Sequence, residues 1–214
     1  PLYDQVMSAP VVAQLSDDNG DGAVDARDTP DVVFTTFRGG NYQGDGVLRA
    51  VSGSDGTDLW DGSLPIPRAT AFFGPAVGDV DDDGLVEIVV GGPHRNGLRV
   101  FENDGSLKWE VPVTDDAQPA LADLDNDGVV EIVYGRRVYR PDGTLAWGYD
   151  RDDFIPVVVD LDLDGTLEVV SNGRAYDAAG VELWDSGRRG VMGAVGNFDS
   201  DDHPEIAIRT PDSV

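Results

Sequence analysis

A repeated acidic motif is the feature that most constrains the fold of this chain. Four similar segments each run from a short apolar stretch through an acidic loop into a second apolar stretch. The loops begin at Asp79, Asp123, Asp160 and Asn197, so they are spaced by 44, 37 and 37 residues. A more distant relative begins at Pro10 and has an enlarged loop. A unit of about 40 residues that recurs along a chain predicts a solenoid or a propeller.

Each repeat unit has the pattern of four short strands, as the second unit illustrates. An apolar strand over 75–80 leads into the acidic loop, and a second apolar run over 87–90 follows the loop. An alternating strand over 98–102 is followed by the turn 103–106 and by a strand that ends near Trp109. Asn-Asp-Gly between alternating runs is typical of a β-hairpin. Four strands in roughly 40 residues predict a β-propeller blade.

A tryptophan ends each of the first four units. It lies four residues after a turn glycine in SDGTDLW, NDGSLKW, PDGTLAW and AAGVELW. An indole face can stack on a sugar ring, or it can dock between neighbouring blades. The strict repetition favours docking. The four tryptophans are Trp60, Trp109, Trp147 and Trp184.

The fold class predicted for the whole chain is all-β: a single β-propeller region of four-stranded antiparallel blades. No segment keeps a helical period for three turns without glycine or proline. The fifth unit has only its first two strands, and residues 1–6 resemble a blade's last strand that could close it. The propeller is therefore expected to be incomplete, with further strands from a longer parent chain or a partner chain. The expected blades are about 10–64, 75–113, 119–149, 156–186 and, in part, 193–214.

Charge and composition restrict the partners. Lys and Arg number 15 against 41 Asp and Glu, which gives a net charge of −26. Such a chain repels nucleic acid and anionic membranes. No apolar stretch approaches the roughly 18 residues of a membrane span, so no membrane insertion is expected. The chain has no cysteine, and an extracellular protein without disulfides needs another staple, such as bound metal.

Alternating carboxylates in the acidic loops predict Ca²⁺ sites, up to five in all. Hard oxygen ligands suit Ca²⁺ better than Zn²⁺ or Cu²⁺, and a glycine after the third carboxylate allows a sharp turn. Acidic turns can also be merely solvated, but related loops in phase with a structural repeat argue against that alternative. The expected ligands, with a main-chain carbonyl at the seventh position, are Asp79, Asp81, Asp83, Leu85 and Glu87; Asp123, Asp125, Asp127, Val129 and Glu131; and Asp160, Asp162, Asp164, Thr166 and Glu168.

The outermost loops depart from this pattern. The fifth has asparagine first and Asp202 where the glycine should stand, so it is expected to be the weakest site. The first has the spacing of an EF-hand loop without the flanking helices. Its last ligand is either Asp28 or, by alignment with Glu87, Asp31. The expected ligands are Asn197, Asp199, Asp201, the His203 carbonyl and Glu205 in the fifth loop, and Asp17, Asn19, Asp21, the Ala23 carbonyl, Asp25 and Asp28 in the first.

Residues 72–101, FFGPAVGDVDDDGLVEIVVGGPHRNGLRVF, closely resemble the FG-GAP repeat of integrin alpha-subunit propellers. The other units resemble its bacterial FG-GAP or VCBS form. The resemblance implies a propeller with Ca²⁺ between the first two strands of each blade. The turn before each tryptophan also resembles the docking repeat of quinoprotein dehydrogenases, but the acidic loop is foreign to that pattern.

Two functions fit these observations. The first is a secreted, extracellular or cell-surface module for adhesion, recognition or structure, which binds a protein or glycan and is not an enzyme. The second is the propeller of a secreted carbohydrate-active enzyme similar to polysaccharide lyases, or a lectin. The family resemblance does not choose between them, because the fold hosts receptors, lectins and lyases. No Ser/His/Asp arrangement or phosphate loop is present in the sequence, so no catalytic residue is nominated.

Overall fold

The protein is almost entirely β-structure. The only helix among the described residues is one turn of 3-10 helix at Pro93–Arg95. No helix in that part of the chain has the length and apolar character of a membrane span. The computed structural model describes residues 3–42, 44–60, 67–149, 155–188 and 193–209.

Residues 1–116 form one compact unit with two four-stranded antiparallel sheets. In each sheet the strands lie side by side in chain order, and neighbouring strands are antiparallel. The first sheet contains β1 (Val11–Ala13), β2 (Asp31–Thr36), β3 (Gly46–Val51) and β4 (Arg68–Ala69), and the second contains β5 (Ala76–Gly78), β6 (Glu87–Gly91), β7 (Leu98–Phe101) and β8 (Leu107–Val111).

Residues 117–214 form a second compact unit. It has two further four-stranded antiparallel sheets and, within the described residues, a two-stranded one. The expectation of four-stranded antiparallel blades is confirmed, and none of the sheets closes on itself. The strands are β9 (Pro119–Ala122), β10 (Glu131–Tyr134), β11 (Arg137–Tyr139) and β12 (Leu145–Gly148); β13 (Val157–Val159), β14 (Glu168–Ser171), β15 (Arg174–Tyr176) and β16 (Glu182–Asp185); and β17 (Gly193–Gly196) with β18 (Glu205–Ile208).

In the second, third and fourth blades the second strand is more deeply buried than the fourth. Every residue of β6 is buried, whereas every residue of β16 is exposed. Strands buried on both faces are continuously apolar, and strands with one wet face alternate. This explains why Ile88-Val89-Val90 has no polar residue and why β16 carries the charged Glu182 and Asp185. In these three blades the acidic loop therefore leads into a strand whose residues are mostly buried.

The tryptophans Trp60 and Trp147 dock on the turn of the next blade, as predicted. Trp60 Nε1 donates to the carbonyl oxygen of Asn103 at 3.3 Å, and Trp147 Nε1 donates to that of Ala178 at 2.8 Å. Each ring covers a turn glycine. Trp184 is 38% exposed, and together with residues of β18 it lines an open groove of about 410 Å³.

The first blade ends later than the sequence predicts. Its fourth strand pairs with β3 at Arg68–Ala69, beyond the expected boundary at 64, and residue 58 makes only an isolated bridge to Val51. The turn before it closes between Ser52 and Thr57, one residue longer than the turn closed by Glu102 and Ser106 in the second blade.

The expected closing strand over 1–6 falls partly outside the described residues. Within them, Gln5 forms an isolated antiparallel bridge with Phe37 at the end of β2. The expectation that residues 1–6 complete the fifth blade, and that further strands come from elsewhere, stays a prediction.

Candidate metal centres

The acidic loops share one backbone conformation. The fourth and sixth residues of the loop have positive φ in the second, third and fourth blades. The sixth residue is glycine, and its amide donates to the first carboxylate, as Gly84 does to Asp79 at 2.9 Å and Gly165 does to Asp160 at 3.0 Å. These bonds fold the loop around its first aspartate. The residues with positive φ are Asp82 and Gly84, Asn126 and Gly128, and Leu163 and Gly165.

The loops bring carboxylates together as predicted for a metal site. In four loops, one oxygen from each of three acidic side chains lies within 4.8 Å of the others. Because like charges at such distances repel, these groups favour a bound cation. Oxygen donors of this kind could hold a hard metal ion. The groups are Asp79, Asp81 and Glu87; Asp123, Asp125 and Asp127; Asp160, Asp162 and Asp164; and Asp199, Asp201 and Glu205.

Two first-position aspartates each hold an oxygen with no hydrogen-bond partner. Oδ2 of Asp79 and of Asp160 accepts the glycine amide, but Oδ1 of both is buried and unpartnered. A buried carboxylate oxygen without a partner is costly, because it has lost its water. A cation bound by the loop would satisfy these oxygens. The residues present therefore fit a metal ion, and they do so independently at two loops.

The ninth-position glutamates bind the backbone at the start of their loops. Each pairs in register with the last residue of the first strand, and its Oε2 accepts the amide of the second loop residue, as from Leu161 to Glu168 at 2.7 Å. Burial raises the pKa of Glu168 and that of Glu131, and the aspartates of each loop raise both further. One oxygen of each glutamate thus holds the backbone.

The second loop contains a positive charge that the sequence analysis missed. Lys108 Nζ lies 2.7 Å from Asp81 Oδ2 and 3.3 Å from Glu87 Oε1. It also lies 3.0 Å from Glu102 Oε1. Glu87 is fully buried and its pKa is raised by burial, an effect that Lys108 opposes. Although burial acts to lower the pKa of Lys108, its hydrogen bonds to Asp81 and Glu102 raise it above its ordinary value.

Strand register shows which of the two alternatives in the first blade, Asp28 or Asp31, occupies the position of the ninth-residue glutamates. Ala13 pairs with Asp31 as Gly78 pairs with Glu87, so Asp31 corresponds to the ninth-position glutamate. Oδ2 of Asp31 accepts the amides of Leu15 and Ser16 at 3.1 and 3.0 Å. The residue after Ala13 is Gln14, which takes the place of Asp79, and its Oε1 is likewise buried and unpartnered.

Asp28 instead closes the enlarged loop over 17–28. Its carboxylate accepts the amides of Asn19 at 3.3 Å and Asp25 at 2.8 Å. The structure does not bring the predicted ligands of this loop into a carboxylate group like the other four. Arg27 pairs with Asp21 at 2.9 Å and with Asp25 at 2.6 Å, so two predicted ligands contact a guanidinium. A metal site in this loop stays a prediction.

The fifth loop departs from the common backbone. Its fourth and sixth residues, Ser200 and Asp202, are both described and neither adopts a positive φ. The side-chain amide of Asn197 donates to the carbonyl oxygen of Asp201, a bond that a first-position aspartate cannot make. His203 donates its main-chain amide to Asp201 Oδ1 at 2.9 Å, as the seventh residue does in other loops.

The fold and these loops define a β-propeller whose repeat carries a carboxylate loop after its first strand. Residues 79–134 match the FG-GAP-like repeat family. This match confirms the FG-GAP-type repeat that the sequence resemblance predicted. No curated protein sequence matches the chain.

Several solved structures are similar. The V. cholerae biofilm matrix protein Bap1 matches with 35% identity and a TM-score of 0.90, covering 100% of this chain and 36% of Bap1. The Bacillus licheniformis rhamnogalacturonan lyase PL11 matches with 20% identity and a TM-score of 0.67, over 95% of this chain and 46% of the lyase. Rhamnogalacturonan lyase YesW has 26% identity and a TM-score of 0.55, over 82% of this chain and 30% of YesW. The chain thus spans less than half the length of each. The repeat and the matrix protein together favour an extracellular or surface protein.

Proposed function

We propose that this chain is a Ca²⁺-binding extracellular propeller module that serves recognition, adhesion or scaffolding and is not catalytic. The observation that carries the calcium proposal is the buried, unpartnered Oδ1 of Asp160 inside a group of three carboxylates. The same oxygen is unpartnered in Asp79. Repetition of one unsatisfied atom in two loops supports a shared ligand.

The donor set favours Ca²⁺ over other cations. The chain has no cysteine and two histidines, and His203 enters its loop through the main chain. Ca²⁺ accepts six to eight oxygens in flexible geometry, whereas Mg²⁺ demands a near-ideal octahedron and keeps several waters. Loops with three carboxylates, a carbonyl and a nearby glutamate therefore fit Ca²⁺ better.

Bound calcium would stabilise the folded state of the chain. Extracellular Ca²⁺ modules bind with Kd of about 10⁻⁴–10⁻³ M. At about 2 mM free Ca²⁺ and a Kd of about 0.1 mM, each site would stabilise the fold by roughly 1.8 kcal/mol. Such a contribution from several sites is comparable to the whole stability of a domain. The metal would then hold the blades rigid beneath whatever surface binds the partner.

The test is calorimetric titration of the chelated, dialysed chain with CaCl₂, and separately with MgCl₂, followed by thermal melting in EDTA and in 2 mM Ca²⁺. We expect several Ca²⁺ per chain, weaker Mg²⁺ binding, and a melting temperature that falls by about 4–7 °C for each site lost. Absence of Ca²⁺ heat together with identical melting curves would refute the calcium proposal.

The proposal that the module is non-catalytic draws support from the matrix protein, which matches the whole chain at higher identity than the lyases do. A propeller of a carbohydrate-active enzyme is the second candidate, because YesW reaches 26% identity. Incubation with rhamnogalacturonan and detection of unsaturated products at 235 nm separates the two. A glycan array with the same Ca²⁺-loaded chain tests recognition without cleavage.

A further inference from the structure

The second loop differs from the others because Lys108 lies against its carboxylates. The ammonium contacts Asp81 and Glu87, which are two members of one candidate metal group. Its side chain is 18% exposed, so the charge is partly withdrawn from water. Interactions between charges in such surroundings are screened less than on an open surface.

The fold places Lys108 there through a bulge in the fourth strand. Val100 pairs with Trp109 and Phe101 pairs with Leu107, so the register shift leaves Lys108 between two paired residues. The third blade has the same shift, with Ala146 at the corresponding position. The fourth blade has Leu183 there. Only the second of these three loops therefore receives a cation from its own fourth strand.

We infer that Lys108 is the resident cation of the second loop, which lowers its affinity for Ca²⁺ below that of the third and fourth loops and stabilises it without metal. The inference rests on the proposed function, because it concerns the same loops. The ammonium already neutralises two of the oxygens that would bind the ion. Ca²⁺ must displace it or bind beside a like charge, and both oppose binding.

Glu102 gives Lys108 a second place to bind. Both oxygens of Glu102 lie near Nζ, at 3.0 and 3.1 Å. In the third blade the corresponding residue is Arg140, which closes the equivalent turn with Thr144 as Glu102 does with Ser106. Lys108 can therefore leave Asp81 and keep a partner. The second loop binds Ca²⁺ at a higher concentration than the third and fourth loops do, so the chain has graded rather than uniform Ca²⁺ sites.

The test follows the main-chain amide signals of Gly84, Gly128 and Gly165 by ¹⁵N NMR during Ca²⁺ titration of the full chain. Each glycine donates to the first carboxylate of its own loop, so each signal reports one site. Coupling free energies between sites usually change affinity by about 5–150-fold. We expect the Gly84 midpoint to lie at a Ca²⁺ concentration at least about 5-fold above the other two.

Two variants act in opposite directions. Lys108→Met, which keeps the stem and removes the charge, should bring the Gly84 midpoint to that of Gly128 and lower the melting temperature in EDTA. If this variant does not fold, the double variant A146K/R140E supplies the test, because it should raise the midpoint of Gly128 alone.

Each outcome separates the two proposals. Equal midpoints in the parent chain, or a Gly84 midpoint that Lys108→Met leaves in place, would overturn the role of Lys108 while Ca²⁺ binding stands. No response of any glycine to Ca²⁺ would reject the calcium proposal itself and this inference with it.

Discussion

A Cβ added at Gly180 would lie 2.5 Å from Cδ2 of Trp147, so the indole occupies the space that any larger residue would need. Gly180 has a φ of +83°, which L residues rarely adopt. The glycine thus makes a left-handed turn and at the same time provides a flat surface for the tryptophan of the preceding blade. Trp60 of the first blade and Gly105 of the second blade repeat this relationship, and the corresponding distance is 2.7 Å.

Gly180→Ala should destabilise the chain more than Gly56→Ala does. Gly56 occupies the same turn position in the first blade with a φ of +76°, but nothing lies within 4 Å of an added Cβ. The control should lose about 1–2 kcal/mol of unfolding free energy from backbone strain alone. Gly180→Ala should lose about 2–5 kcal/mol, because Trp147 must also move. Urea unfolding measures both, and equal losses would contradict docking.

Asp160→Asn should raise the melting temperature in EDTA and lower it in Ca²⁺. Without metal, the substitution relieves repulsion among Asp160, Asp162 and Asp164, so the melting temperature in EDTA should rise. In Ca²⁺ it should fall, because one ligand charge is lost from the site. Asp4→Asn, an exposed residue outside the loops, controls for the change in net charge. A shift of the same sign in both conditions would mean that Asp160 is not a ligand.

Asp31→Asn should destabilise the fold equally in EDTA and in Ca²⁺. Asp31 is fully buried, and besides the amides of Leu15 and Ser16 it accepts that of Gly53 at 3.2 Å. An asparagine would turn its own amide group toward these donors, at a cost of about 1–3 kcal/mol. Asp28→Asn is the matched variant: it also turns an amide toward one of two backbone donors, so it should lose stability in EDTA as well, and lose more in Ca²⁺ if the loop over 17–28 binds the ion. If Asp31→Asn lost more stability in Ca²⁺ than in EDTA, Asp31 would itself be a metal ligand.

Strand positions were predictable because local sequence dictates them. The apolar run at 87–90 and the alternating run at 98–102 appear as Glu87–Gly91 and Leu98–Phe101, and the turn between Glu102 and Ser106 closes as its Asp-Gly pair requires. Turn chemistry and side-chain alternation act over a few residues and need no tertiary information.

The features that the sequence did not predict depend on strand register and on the direction in which side chains point. The EF-hand spacing placed the first ligand of the first blade at Asp17, whereas pairing with β2 puts Gln14 in the position that Asp79 has in the second blade. An inserted acidic loop hid the correspondence. The contacts of Lys108 depend on a strand bulge, which no local pattern marks. Its position one residue before Trp109, where the third blade has Ala146, is the only signal that could have suggested it.

Restoring the common loop sequence in the fifth blade should create a stronger site. The double variant N197D/D202G supplies the missing first carboxylate and the glycine that the other loops place at a φ of about +90°. Aspartate also removes the amide that now binds the carbonyl oxygen of Asp201. We expect tighter binding of one Ca²⁺ by calorimetry and a melting temperature in Ca²⁺ about 2–4 °C higher per kcal/mol gained. D202G alone, with asparagine still first, is the control and should gain less. Weaker binding by the double variant would show that the fifth loop does not use the mechanism of the others.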